Sequence, residues 1–211
     1  MENKVAIIGY SGHAFVVLDA AKKMGMSIIG YCDLKENTSL NVYKLGYLGN
    51  ENQVGFDWQQ VDGYILGVGD NRLRNQIAEN ILKNKQKLLT VIHPSSTIND
   101  WTSIGEGSFV SSNAIINPLS EIGRYAVVNS GAIIEHECIV QDGAHIAPGA
   151  VLAGNVRVGR NSFIGANSVV RQGISIGNDV VVGAGSVVVK DIPDGETWVG
   201  NPAKFLWKTK Y

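Results

Sequence analysis

IGRYAVVNSGAIIEHECIVQDGAHIAPGAVL, residues 122–152, sits at the centre of a run that reads in steps of six. Ile98, Ile104, Val110, Ile116, Ile122, Val128, Ile134, Val140, Ile146, Leu152, Val158, Ile164, Val170, Ile176, Val182 and Val188 follow one another at that spacing without a miss. Ile, Leu and Val make up roughly a quarter of ordinary sequence, so chance gives such a run on the order of once in 10^10 placements. Four residues after each step stands a mostly small side chain, among them Ser108, Ala114, Ser120, Ala126, Ala132, Cys138, Ala144 and Ala150. A period of six matches neither a helix nor a lone strand. It matches a short strand and a turn, repeated, with three hexads making one coil of a triangular prism. The aliphatic side chain then points inward on each wall and the small residue fits the corner. Gly follows many of the aliphatic steps, as at Gly105, Gly123 and Gly165, and is expected to supply turn dihedrals. The run amounts to about five coils, roughly 25 Å at the usual strand spacing. A single hexad buries nothing by itself, so the stack is the core.

Upstream, residues 4–8 (KVAII) read as a buried strand, followed by the tight turn Gly9-Tyr10-Ser11-Gly12-His13 and a helix from Ala14 to Met24 that Gly25 ends. Residues 27–32 form a second strand with Asp33 at its carboxyl end, a β–loop–α–β–Asp unit. Residues 47–49 resemble a short edge segment and residues 64–68 a further strand. Asn71 reads as a helix cap, and Arg72 to Lys83 as an amphipathic helix with Leu73, Ile77 and Ile81 on its stripe. Leu88 to Ile92 is expected to be a fourth strand. The chain therefore divides into an α/β domain with a small parallel, Rossmann-like sheet (1–92), the β-helical prism (93–193) and a tail (194–211).

The chain has 211 residues and a net charge of −1. That balance argues against nucleic acid or a charged membrane surface as a partner. No apolar stretch approaches a membrane span, and the N-terminus lacks the pattern of a secretory leader. The two cysteines, Cys32 and Cys138, form no motif, and Cys138 falls in a corner slot. A cytoplasmic location is expected.

Two stretches carry chemistry. Gly9–His13 feeds a helix N-terminus at the carboxyl edge of the sheet, where backbone N–H groups can hold a phosphate. It is shorter than the dinucleotide fingerprint G-x-G-x-x-G and does not match it, and the sheet is too small to expect a full NAD site. The second stretch is Ile134-Glu135-His136-Glu137-Cys138. Between the inward Ile134 and the corner Cys138, a histidine with a carboxylate beside it makes a general-base pair. His145 follows half a coil on.

These residues, with the tail Val199-Gly200-Asn201-Pro202-Ala203-Lys204, resemble the left-handed β-helix acyltransferases. The Gly9–His13 loop, Gly69-Asp70-Asn71, Ile134–Cys138 and Ala153–Val156 together resemble one branch of them. That branch comprises the sialic-acid O-acetyltransferases and the nucleotide 4-amino-sugar N-acetyltransferases of the bacillosamine, viosamine and perosamine type, which serve glycan biosynthesis. The resemblance implies that His136 is the catalytic base and that Glu137 raises its basicity. It implies that Ser11, Gly12, His13, Asp33, Leu34 and Gly69 meet the nucleotide sugar, although the family often has a second acid where this chain has Leu34. It implies that His145, Gly154, Ala166 and Ala184 line the acetyl-CoA site, with Ala184 standing where glycine is common. It further implies a homotrimer with acetyl-CoA between neighbouring prisms.

The expected reaction is direct transfer of acetyl from acetyl-CoA to the 4-amino group of a UDP- or dTDP-linked 4-amino-4,6-dideoxy sugar, since no Ser or Cys nucleophile pairs with His136. A backbone N–H near Gly154 is the expected oxyanion donor. O-acetylation of a sugar such as sialic acid, with the same base, is the alternative. A carbonic-anhydrase prism needs three histidines around a metal. Only His136 and His145 lie within the repeat, so no metal is expected. A non-catalytic spacer is the remaining class.

Overall fold

The computed structural model describes residues 3–38 and 41–209; residues 1–2, 39–40 and 210–211, at the ends of the expected domains and of the loop after Asp33, lie outside the described residues. The N-terminal sheet has four parallel strands, β1 (Lys4–Ile8), β2 (Ser27–Cys32), β3 (Gly46–Gly49) and β4 (Gly63–Leu66), in the order β3-β2-β1-β4. Helix α1 (Gly12–Lys23) covers one side, its Ala14, Val17, Leu18 and Ala21 packing with Val5, Ile7 and Ile65. It starts two residues earlier than its apolar pattern suggests. It ends as expected, with Gly25 at φ +80° and the Met26 N–H returning to the Ala21 carbonyl.

Helix α2 (Asn71–Lys83) covers the other side. Two expectations are corrected here. Its cap is Asp70, whose carboxylate accepts the Leu73 N–H at 2.8 Å, and Asn71 is its first helical residue. Its buried stripe is Asn71, Arg74, Ile77, Ala78 and Ile81, while Leu73 is exposed. Apolarity alone misplaced the stripe because two of its members are polar.

The expected fourth strand splits. Leu88 makes one bridge to Tyr64 of the sheet, whereas Val91–Ile92 pairs with Phe109–Val110 and is already the first rung of the prism. From there each strand pairs in parallel with the strand eighteen residues on. One face runs Val91, Phe109, Val127, His145, Phe163, Val181. A second runs from Thr97–Ile98 to Val187–Val188, and a third from Ser103–Ile104 to Ser175–Ile176. The coil is a left-handed β-helix. The hexad residues from Val110 onward are buried with the small corner residues in one cluster, and Ile98 and Ile104 are partly buried at its open end. Glu196–Val199 adds a last rung to the first face and Lys204–Lys208 folds back on it antiparallel.

Glycine's part in the repeat differs from expectation. The residue in the left-handed region stands three places after the aliphatic step: Trp101, Gly107, Asn113, Leu119, Tyr125, Gly131, Glu137, Gly143, Gly149, Asn155, Asn161, Asn167, Gly173, Asp179 and Gly185 all have positive φ. The glycine next to the aliphatic step serves a close approach. A Cβ on Gly165 would lie 2.5 Å from the Ala184 nitrogen, and one on Gly105 2.5 Å from the Arg124 nitrogen.

The two halves of the chain share their cores. Val91, Phe109 and Val127, outward on the first face, pack with the α1 side of the sheet, and Tyr125 packs with the α2 side. Two imidazoles are caught in this junction. Burial, with the Arg74 charge adding to it, pushes His13 down to about 4; burial, then Arg74 and His13, push His145 down to about 3.

Two measurements follow. Gly165→Ala is expected to destabilise the fold by about 1–3 kcal/mol through overpacking. Gly185→Asn, where nothing lies within 4 Å of the new Cβ, costs about 1 kcal/mol or less; chemical denaturation of the two variants compares them. His13 and His145 both have depressed folded pKa values, so their contribution to stability is complete above the unfolded value near 6.5 and is lost as pH falls toward about 4 and then about 3. The melting temperature should drop over that window, and His145→Asn should flatten the drop.

Candidate active site

The prism leaves two kinds of position for function: the outward strand slot and the turn at each corner. His136 and Glu137 occupy the turn between the second and third faces, just after Ile133–Ile134. Glu137 takes the left-handed conformation at φ 60°. Its Oε2 lies 3.0 Å from His136 Nδ1. Both side chains are about half exposed, at 54% and 58%. With Nδ1–H donated to the carboxylate, Nε2 keeps its lone pair free. The ring rests on Gly154, one coil further on: a Cβ there would lie 2.6 Å from both Cε1 and Nε2. The Asn155 N–H holds the His136 carbonyl at 2.8 Å, so the turn is fixed from above.

Cys138 is buried in its corner and its thiol donates to the Ala153 carbonyl. Burial raises its pKa, and it does not face the histidine pair.

The N-terminal loop forms a second cluster. Asp33 organises it: one carboxylate oxygen accepts the Tyr10 N–H at 2.9 Å and the other the Leu34 N–H at 2.7 Å. The Gly9 N–H binds the Cys32 carbonyl and the Gly67 N–H the Ile8 carbonyl. Gly67 must be bare, because a Cβ would lie 2.6 Å from the Gly9 carbonyl oxygen. Ser11 is the N-cap of α1 by position, yet its side chain caps nothing and the first turn carries no acid. Helix α2, by contrast, is capped by its own Asp70. The open end of α1 is thus suited to an anion. Ser11, Gly12 and Leu34 are exposed, Leu34 at 67%.

His13 lies partly buried behind the loop, its ring 5.8 Å from Phe109 and 6.1 Å from His145. Its Nε2 is buried and has no partner among the described residues. His145, 6% exposed, sits on the outward slot of the first face. Its Nδ1 lies 3.4 Å from the Gly69 carbonyl and its Nε2 3.1 Å from Asn129 Nδ2. A neutral ring satisfies both contacts by donating from Nδ1 and accepting at Nε2. Ala166 and Ala184 lie on the corner between the first and second faces, one coil apart; the Gly185 N–H binds the Ala166 carbonyl at 2.8 Å.

One chain therefore brings Ser11, Gly12, His13, Asp33, Leu34, Gly69 and His145 to one side of the prism. It brings His136, Glu137 and Gly154 together at the corner opposite the face on which the N-terminal domain docks. It does not bring these two groups to each other.

Arg74, and the part Asn71 plays between the domains, escaped the sequence reading. Asn71 Nδ2 donates to the Asn161 carbonyl, and Arg74 reaches across to the Tyr125 and Gly143 carbonyls. Their signal was present: both fall on the stripe of Ile77, Ala78 and Ile81, where a polar residue needs a partner. Among the described residues no group of three or more His, Cys, Asp or Glu is arranged to hold a metal, and no helix is long and apolar enough to cross a membrane.

Known proteins resemble the chain in both halves. Residues 4–81 match the PglD N-terminal domain and residues 155–190 match the hexapeptide repeat of succinyl-transferase. A UDP-N-acetylbacillosamine N-acetyltransferase of Bacillus subtilis (strain 168) is 37% identical over 47 residues, a stretch that spans 22% of either chain. The acetyltransferase domain of PglB from Neisseria gonorrhoeae, solved also with acetyl coenzyme A, is 37% identical with a TM-score of 0.88. That match covers 97% of this chain and 100% of the other. Perosamine N-acetyltransferase from Caulobacter crescentus, solved as a histidine-to-asparagine variant with CoA and GDP-perosamine, is 32% identical with a TM-score of 0.90, over 97% of each chain. With its two domains in the same order and near-complete coverage at 37% identity, the chain belongs to the left-handed β-helix, acetyl-CoA-dependent N-acetyltransferases of nucleotide-linked amino sugars.

Proposed function

We propose that the chain transfers acetyl from acetyl-CoA to the 4-amino group of a UDP- or dTDP-linked 4-amino-4,6-dideoxy sugar, with His136 as general base. The observation that carries this reading is the Glu137–His136 pair, 3.0 Å apart and half exposed on the bare floor of Gly154. The sugar nitrogen attacks the thioester carbonyl and gives up a proton to His136 Nε2. Glu137, accepting from Nδ1, stabilises the imidazolium so formed. The same proton passes to the departing sulfur, which leaves as the thiol of CoA. Each turnover thus returns His136 to its starting state, and no covalent enzyme intermediate is needed. The Gly154 N–H takes the role of oxyanion donor. Fixing both substrates beside one imidazole supplies much of the rate.

The nucleotide sugar binds the open end of α1 through Ser11, Gly12 and His13. Gly69 lies behind this loop, and Asp33 and Leu34 stand at its edge. Acetyl-CoA runs past His145 and along the corner of Ala166 and Ala184. The Gly9–His13 loop and the His136 corner lie on opposite sides of one prism, which supports a homotrimer in which one copy's base faces its neighbour's binding loop. The histidine substitution in the perosamine relative, solved with both CoA and the nucleotide sugar, supports a histidine that is dispensable for binding.

Thiol release from acetyl-CoA, measured against UDP-, dTDP- and GDP-linked 4-amino sugars and their 4-hydroxy analogues, tests the reading. The wild-type protein should turn over an amino sugar and leave the hydroxy analogue nearly untouched. His136→Ala should lower kcat by about 10^2–10^4-fold with little change in KM. Gly154→Ala, which pushes into the ring, should lower kcat at unchanged melting temperature. An oligomer mixed from His136→Ala and a binding-loop variant, Gly12→Asp, should recover activity that neither variant has alone. Full activity in His136→Ala would end the proposal.

A further inference from the structure

Arg74 is 1% exposed. Its Nε donates to the Tyr125 carbonyl at 2.7 Å, Nη1 to the Gly69 carbonyl at 3.0 Å, and Nη2 to Asn71 Oδ1 at 2.9 Å and the Gly143 carbonyl at 2.8 Å. Among the described residues no carboxylate receives a hydrogen bond from it. Asp70 is the acid whose charge it feels, but the Asp70 carboxylate already caps α2 through Leu73. Carbonyl dipoles satisfy the guanidinium's N–H groups, yet they do not cancel its charge, and Asp70 offsets that charge without a hydrogen bond to it. No neutral side chain carries enough N–H groups to meet all four acceptors, so at this position the clamp and the charge come together. A buried charge held this way also favours an anion bound close by.

The surroundings say where. Arg74 holds the carbonyl of Gly69, and the same carbonyl faces His145 Nδ1. Gly69 lies against His13, in the first turn of α1. That turn is the end at which Ser11 caps nothing and no acid stands. The guanidinium thus sits directly behind the loop assigned above to the nucleotide sugar, walled off from solvent.

We infer that Arg74 is a positioning residue whose charge is the built-in counter-ion of the substrate's diphosphate, acting from behind the Gly9–His13 loop without touching the ligand. This rests on the nucleotide-site reading. The charge favours the diphosphate and is indifferent to the base and ribose. Because it is buried, counter-ions in solution screen it poorly.

Calorimetric binding of UDP and uridine, dTDP and thymidine, and GDP and guanosine provides the test, using the pair whose diphosphate binds the wild-type protein most tightly. The ratio of diphosphate to nucleoside affinity should fall about tenfold in Arg74→Gln. It should stay within about twofold of wild type in Arg74→Lys, even where that variant melts earlier. The wild-type ratio should change by about twofold or less between 0.05 and 0.5 M salt, a measurement that needs no variant. Equal weakening of both ligands in Arg74→Gln would overturn the inference and leave Arg74 a clamp; so would a lysine variant as poor as the glutamine one, or a steep salt dependence. Failure of every diphosphate to bind the wild-type protein would instead sink the nucleotide-site reading, and this inference with it.

Discussion

Each coil of the prism is held by the next. The N–H of Gly105 meets the Ile122 carbonyl, that of Gly123 the Val140 carbonyl and that of Gln141 the Val158 carbonyl, so the backbone is consumed by the stack. The inward slot must be aliphatic and the corner slot small. Where the coils approach most closely, even a Cβ is too much, as at Gly105 and Gly165. What remains free is narrow: an outward strand slot and the turn residues at each corner. Two of the prism's histidines use one of each. His145 takes a strand slot and is covered; His136 takes a turn and stands open.

This is why the prism was legible and much of its surroundings was not. A constraint that recurs every six residues writes itself into sequence sixteen times over, from Ile98 to Val188. The turn dihedral recurs just as strictly, yet it is almost invisible in the sequence. The left-handed corner accepts Trp101, Leu119, Tyr125 and Glu137 as well as Gly and Asn. The glycines that do stand out answer to space. Strand β1, helix α1 and strand β2 were readable because local pattern decides them. The boundary near Leu88 was not, since Val91 belongs to the prism only through a partner eighteen residues away. The roles proposed for His136, Glu137 and the Gly9–His13 loop rest on motif resemblance. That they fall on opposite sides of one prism could not be read without the fold.

The junction between domains shows the same limit in another form. Val91, Phe109 and Val127 look like ordinary strand residues with alternating exposure, but they face outward into the α1 side of the sheet. Burying them fixes the N-terminal domain on the first face of the prism and on no other. Arg74 and Asn71 then lock it by bonds to carbonyls of Tyr125, Gly143 and Asn161, at the edge where the first and third faces meet. A rigid placement matters for a two-substrate enzyme, because effective concentration depends on angles as much as on proximity.

Three imidazoles in one chain end up with different chemistry for reasons of place. His13, partly buried, and His145, buried, lie between the domains under the field of a cation, so their protonated forms are disfavoured down to about 4 and about 3. At neutral pH they are polar rings with fixed donors and acceptors, and neither suits proton uptake. His136 stands half exposed at its corner, with the Glu137 carboxylate 3.0 Å from Nδ1. The three rings could not exchange surroundings within this fold, because the junction that neutralises His13 and His145 is the same one that leaves the opposite corner open to solvent.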